Sequence, residues 1–231
     1  MNGNSVAPAW VLADGALGAL DMAVGPAGVV LGRDSSGAPV LLRLFGPEPT
    51  SVTFVGGWWA AQILINRCLA HGATVLVEAE DTATPAQQGV LAGMAQWLAL
   101  DQVVGGSGGR VLPAAGQPTT RPPSMAQPVL YIHDVGPGPV VRPSPQPWQT
   151  NVTMLATVTP ASHHSIANAD VVLTQRLGPQ DAALLGSALL LGPEFVSRIT
   201  AMDNEMVATF RGQAVRYVWF NPTALERQYF G

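Results

Sequence analysis

The chain has 231 residues, 48% of them hydrophobic, which suits one large domain, or one domain with a small appendage, around a real buried core. Only 11% of residues are charged, so part of the surface is expected to be apolar and to meet a partner. The net charge is −4 and all 11 basic residues are arginines scattered along the chain. That excludes chemistry that needs a lysine, and it argues against nucleic acid, which calls for a clustered basic patch.

The segment Met1–Pro26 alternates small and apolar residues and reads as a strand or two with loops. It carries Asp14 and Asp21 before any arginine, which is the wrong order for a secretory signal. No apolar run reaches the roughly 20 residues of a membrane helix. A cytoplasmic protein is therefore expected, with peripheral docking at the inner face of a membrane left open. Gly28–Gly32 and Pro39–Phe45 are short apolar runs joined by Asp34-Ser35-Ser36-Gly37, a hairpin turn. Ser51–Val55 is a β-branched strand. Trp58–His71 follows with helical spacing, and Gly72 stops it. Thr74–Val77 is an unbroken apolar strand of the kind buried on both faces.

A second helix is predicted from Thr84 to Leu100, because Thr84, Pro85 and Gln87 form a capping sequence. Val129–His133 and Asn151–Val158 read as strands, Ser162–Asn168 as a short helix and Val171–Leu177 as a strand. Pro179–Leu191 and Pro193–Met202 read as helices, Met206–Arg211 and Ala214–Phe220 as a hairpin, and Pro222–Gln228 as a final helix. The alternation of strands and helices predicts an α/β fold: a mixed, mostly parallel Rossmann-like sheet with flanking helices and β-hairpin additions. Proline-rich linkers near 113–128 and 135–147 leave a subdivision into 1–112 and 129–231 open.

Gly56-Gly57, between a strand and a helix, is the first candidate site. Such a turn lets a phosphate approach free N–H groups at a helix N-terminus. Glu78 ends the next strand, about 20 residues on, where a ribose-binding carboxylate belongs in a dinucleotide fold. The pattern is nevertheless G-G-W-W-A-A rather than G-x-G-x-x-G, and Trp58 and Trp59 crowd the turn. Packing of the helix against the sheet is the competing explanation of both glycines. Ser107 in Gly105–Gly109 matches G-x-S-x-G, but a strand-like Arg110–Leu112 follows where a nucleophile elbow needs a helix. His163, His164 and Asp170 suggest a metal, yet adjacent histidines diverge and zinc needs three or four convergent ligands. His133-Asp134 ends a strand, the usual place for a ligand in an open α/β sheet, and a hydrolase using His133 or Ser165 is the weakest reading. Cys68, the only cysteine, sits in an apolar run and reads as an inert buried thiol. No metal and no cofactor is expected.

The stretch GVVLGRDSSGAPVLLRLF, then SVTFVGG, a helix and HGATVLV, from Gly28 to Ala79, resembles the cytosolic C-terminal portion of the EccE family of the actinobacterial type VII (ESX) secretion apparatus. ADVVLTQRL and PTALERQ resemble tails of secretion-associated proteins less specifically. The family's transmembrane helices have no counterpart here. The resemblance implies a structural role with no catalytic residues to carry over. The leading expectation is thus a non-enzymatic component of a secretion machine. Its partners would be proteins, a secretion ATPase or membrane-complex subunits, with homo-oligomers open and Trp10 and Trp148 as interaction anchors beside proline-rich segments. The rival is a nucleotide- or dinucleotide-binding enzyme using Gly56, Gly57 and Glu78.

Overall fold

The computed structural model describes residues 28–79, 89–103, 109–115, 122–136, 144–212 and 214–231. The expected strands of Met1–Pro26 with Trp10, the capping sequence at Thr84–Gln87 and Ser107 lie outside the described residues.

Ten strands form one sheet: β1 Val29–Arg33, β2 Pro39–Leu42, β3 Thr50–Val55, β4 Thr74–Ala79, β5 Arg110–Pro113, β6 Val129–Asp134, β7 Gln149–Leu155, β8 Val171–Thr174, β9 Met206–Arg211 and β10 Ala214–Trp219. Their order is β2-β1-β10-β9-β8-β3-β7-β6-β4-β5. The six strands from β8 to β5 are parallel, and β9, β10, β1 and β2 add an antiparallel extension. This is the mixed, mostly parallel sheet with hairpin additions that the alternation of elements predicts.

The helices are α1 Trp58–Ala70, α2 Met94–Val103, α3 His163–Ala167, α4 Pro179–Leu189, α5 Pro193–Thr200 and α6 Ala224–Phe230. Two cores result. Ile63, Leu64 and Trp97 of α1 and α2 pack with Phe54, Val75, Ile132 and Met154 on one face. Ile166, Leu185 and Ile199 of α3–α5 pack with Val55, Leu155, Val172 and Phe210 on the other. Parallel strands buried on both faces need such continuous apolar runs, and β3 ends with four buried residues in a row. Cys68 is fully buried in the first core, and burial pushes its thiol up to about 12. Among the described residues, no helix is long and apolar enough to cross a membrane.

The hairpin turn forms as its residues dictate. The Asp34 carboxylate accepts from the Ser36 N–H at 2.9 Å, the Ser36 hydroxyl at 2.6 Å and the Ala38 N–H at 3.1 Å. Of the helix predicted over Thr84–Leu100, the described part begins at residue 89, and it is helical only from Met94. Residues 89–93 run in extended and bent form, with Gly89 at φ 74°, and the helix starts at Met94 after Gly93 donates to Gln96 Oε1. The tertiary contacts of Leu91 and Ala92, described below, take the backbone groups that an earlier helix start would have used.

Arg67 joins β1 to the last helix. Its guanidinium donates to both Glu226 carboxylate oxygens, at 2.6 and 2.9 Å, and to the carbonyls of Val30, Leu31 and Phe220. Glu226 also caps α6, accepting from the Thr223 N–H at 2.7 Å while its own N–H donates to Thr223 Oγ1. One ion pair thus fastens α1, β1, the end of β10 and α6. Burial works against the Glu226 carboxylate, but the Arg67 hydrogen bond, Thr223 and the Arg67 charge outweigh it and hold its pKa below the ordinary value.

Glu226→Gln leaves Arg67 largely buried without its counter-charge and should cost about 3 kcal/mol in denaturant unfolding. Because the folded pKa is depressed, the stabilisation from Glu226 is fully present above its unfolded pKa of about 4.3 and is lost as pH falls through the folded value. The variant's acid unfolding limb should be correspondingly shallower. Leu190 ends α4 in the left-handed region, at φ 55° and 92% exposed, so its side chain gains nothing from packing. Leu190→Gly should raise stability by about 1 kcal/mol, read as a higher melting midpoint.

Candidate ligand cleft at the sheet switch point

The chain leaves β3 through α1 toward β4 on one side, and returns from β7 through α3 to β8 on the other. The carboxyl end of β3 is therefore the switch point of the parallel sheet, the place where open α/β sheets bind ligands. A cleft of about 620 Å³ opens there, lined by Gly56, Gly57, Gln175, Arg176, Asp181 and Asn204 among others.

The connection from β3 to α1 is only two residues, Gly56 and Gly57. Gly56 continues the sheet by donating to the Leu155 carbonyl at 3.1 Å, and Gln175 does the same to Val55 at 3.0 Å. A side chain at Gly56 would displace its neighbours: a Cβ would stand 2.7 Å from Gln175 Oε1 and 2.9 Å from Phe54 Cζ. The Gly57 N–H, the first donor of the turn, donates to Gln175 Oε1 at 2.7 Å, and Gln175 Nε2 donates to the Asn204 carbonyl at 3.1 Å. A neutral side-chain oxygen thus holds one of the positions that a phosphate oxygen takes at a helix N-terminus. Trp58 stacks edge-on against Trp97 at 4.6 Å and Trp59 against Phe220 at 5.8 Å. The first contact seats α1 against α2 and the second against the residue that follows β10.

The N-terminus of α4, capped by Gly178, enters the same cleft, and Asp181 lies in its first turn. Arg176 and Asp181 put opposite charges on one cleft wall, and neither side chain is hydrogen-bonded or ion-paired among the described residues.

Glu78 is not part of this site. It is the penultimate residue of β4, and β7 and β6 lie between β4 and β3. At about 4.8 Å per strand, that places Glu78 about 14 Å from the turn. It hydrogen-bonds instead to His133 Nδ1 at 2.8 Å across the β4–β6 register, and the Tyr131 ring lies 4.6 Å from that of His133. Burial raises the Tyr131 phenol's pKa, and the nearby Glu78 charge raises it further.

Asp134, the other carboxylate at a strand end, is a structural anchor. Its oxygens accept from the Leu91 N–H at 2.8 Å, the Ala92 N–H at 2.9 Å and Trp97 Nε1–H at 2.8 Å. Burial raises its pKa in spite of these three donors. Asp170 is engaged by Ser51, at 2.7 Å from both its N–H and its hydroxyl. His163 and His164 are exposed, and His164 meets Asn168. The Ser165 carbonyl accepts from Thr53 Oγ1 at 2.7 Å. Among the described residues, no three His, Cys, Asp or Glu side chains are grouped to hold a metal. Trp148 is half-buried, packs against the first core and has φ 62°.

No protein-family model matches the sequence, and no curated protein matches it. Solved structures are similar in fold. VirB4 of Thermoanaerobacter pseudethanolicus is 10% identical with a TM-score of 0.56, covering 88% of this chain and 99% of that one. The genome packaging NTPase B204 of Sulfolobus turreted icosahedral virus 2, in complex with sulfate, is 10% identical with a TM-score of 0.46 over 75% of this chain and 96% of that one. The cytoplasmic domain of the Thermomonospora curvata type VII secretion ATPase EccC is 9% identical with a TM-score of 0.43 over 87% of this chain and 31% of that one. The VirB4 likeness agrees with the observed architecture, a mixed, mostly parallel α/β sheet with flanking helices.

Trp97→Phe keeps the ring packing but removes one donor from Asp134. It should cost about 1–3 kcal/mol at neutral pH in denaturant unfolding. The lost bond favoured the ionised carboxylate, so the deficit should shrink as pH falls through the raised pKa of Asp134.

Proposed function

We propose that this chain is a nucleotide-binding component of a secretion machine that does not hydrolyse its ligand. The observation that carries the reading is the cleft at the switch point, where Arg176, Asp181 and the starts of α1 and α4 face one space. Arg176 and the free N–H groups of α1 suit a phosphate, and the Asp181 carboxylate suits ribose hydroxyl donors. Asp181 takes the part that sequence spacing assigns to Glu78. Hydrolysis is disfavoured by the chain's own residues. There is no lysine for a transferred phosphoryl group, and Asp134 has its oxygens taken by Leu91, Ala92 and Trp97. The resemblance of residues 28–79 to the EccE family supports a place in type VII secretion.

A second reading is a purely structural component, EccE-like, that works through protein contacts and binds no nucleotide. It is favoured by Gln175, which already caps the Gly57 N–H.

One experiment separates the two. Thermal unfolding is followed with ATP, ADP, GTP and NAD in turn, alongside a phosphate-release assay. A ligand at 100 times its Kd should stabilise by about 2.7 kcal/mol, Arg176→Gln should weaken it at least tenfold, and no phosphate should be released above background. Absence of any shift overturns the nucleotide reading and leaves the protein-contact one, which then requires co-purification with a secretion subunit from native cells.

A further inference from the structure

Three of the chain's 11 arginines meet on the antiparallel side of the sheet, away from the switch-point cleft. Arg211 closes β9 and Arg216 lies in β10, in a hairpin that pairs Ala214 with Arg211 and Arg216 with Thr209. Arg211 and Arg216 are therefore diagonal neighbours on one face of the ladder, about 7–8 Å apart at their backbones. Arg43, just past β2, completes the group. The three line a recess of about 270 Å³ with Leu31, Leu41 and Val171, and no Asp or Glu lines it.

None of the three guanidinium groups makes a hydrogen bond or ion pair among the described residues. The Asp34 carboxylate is within reach of the Arg216 charge, but Ser36 and Ala38 occupy it and it forms no ion pair there. Like charges so placed repel. The chain has 15 acidic residues against 11 basic, yet these three arginines lie together with no ion pair among the described residues, a local cost. Guanidinium forks match phosphate oxygens in pairs, and three of them at one exposed recess can meet one phosphate group together. The wall beside them is apolar, and Leu41 is 49% exposed at its edge, so the ligand should carry an apolar part next to its anionic one.

We propose that Arg43, Arg211 and Arg216 form a receptor for a phosphate group, carried by a small molecule or by a lipid headgroup. The site is independent of the switch-point cleft and of the function proposed for it. The test uses the full chain in two arms: calorimetric titration with inorganic pyrophosphate, and co-sedimentation with phosphatidylglycerol/phosphatidylcholine vesicles against phosphatidylcholine alone. The wild type should bind in at least one arm, more weakly as salt rises. Binding of pyrophosphate assigns a free phosphate ligand, and binding of the anionic vesicles without pyrophosphate assigns a headgroup. The double variant Arg211→Gln/Arg216→Gln should lose at least tenfold, whereas Arg227→Gln, an exposed arginine on α6 outside both clefts, should leave binding unchanged. Arg43→Gln alone should lose several-fold, which keeps the test open if the double variant folds poorly. Binding in neither arm, binding unchanged by the Arg43, Arg211 and Arg216 variants, or an equal loss in Arg227→Gln overturns the proposal.

Discussion

The contact between Gly56 and Gln175 governs the character of the whole molecule. β3 is hydrogen-bonded to β7 on one side and β8 on the other, and both ladders run one residue further, through Gly56 and Gln175. The backbone has two residues in which to turn from β3 into α1. Any side chain at Gly56 would strike Gln175 and Phe54. A long phosphate-wrapping loop has no room in a connection this short. What is left is a tight turn, a capped N–H and a cleft beside it. The fold keeps the place where a ligand would sit while changing the groups that would hold it.

The carboxylates follow the same logic. In this sheet the strand ends carry Glu78, Asp134 and, just before β8, Asp170. Each is bound to a neighbouring element: Glu78 to His133, Asp134 to the residues ahead of α2, Asp170 to Ser51. Asp134 is the costliest of these, because burial opposes its charge and only three N–H donors keep it in place. Groups that could have served chemistry are used to fix loops. Asp181 and Arg176 remain without such partners, and they lie in the cleft.

Arg67 shows how the antiparallel extension is kept on the parallel core. It reaches from α1 to Glu226, near the last residue, and to carbonyls of β1 and of the residue after β10. An arginine is suited to this because one planar fork can serve a carboxylate and several carbonyls at once. Arg33 of the same extension donates to the Gly37 carbonyl, whereas Arg43, Arg211 and Arg216 have no such partners among the described residues, which sets them apart as a group.

Local rules in the sequence determined the elements. The alternation from Ser51 to Ala79, the Asp34–Gly37 turn, the Gly72 stop and the Thr223–Glu226 cap act over a few residues, so they are legible without the fold. The absence of lysine likewise bounds the chemistry through composition alone. The start of α2 was not legible, because Asp134, some 40 residues downstream, takes the N–H groups of Leu91 and Ala92. Strand order was not legible either: β6 and β7 come later in the chain yet insert between β3 and β4, and that removes Glu78 from the Gly56-Gly57 turn. For the same reason arginines scattered over more than 170 positions could not be read as a cluster. Periodicity and turn chemistry are short-range, whereas which strand ends and which charges share a space depends on non-local pairing, and that is decided only when the sheet closes.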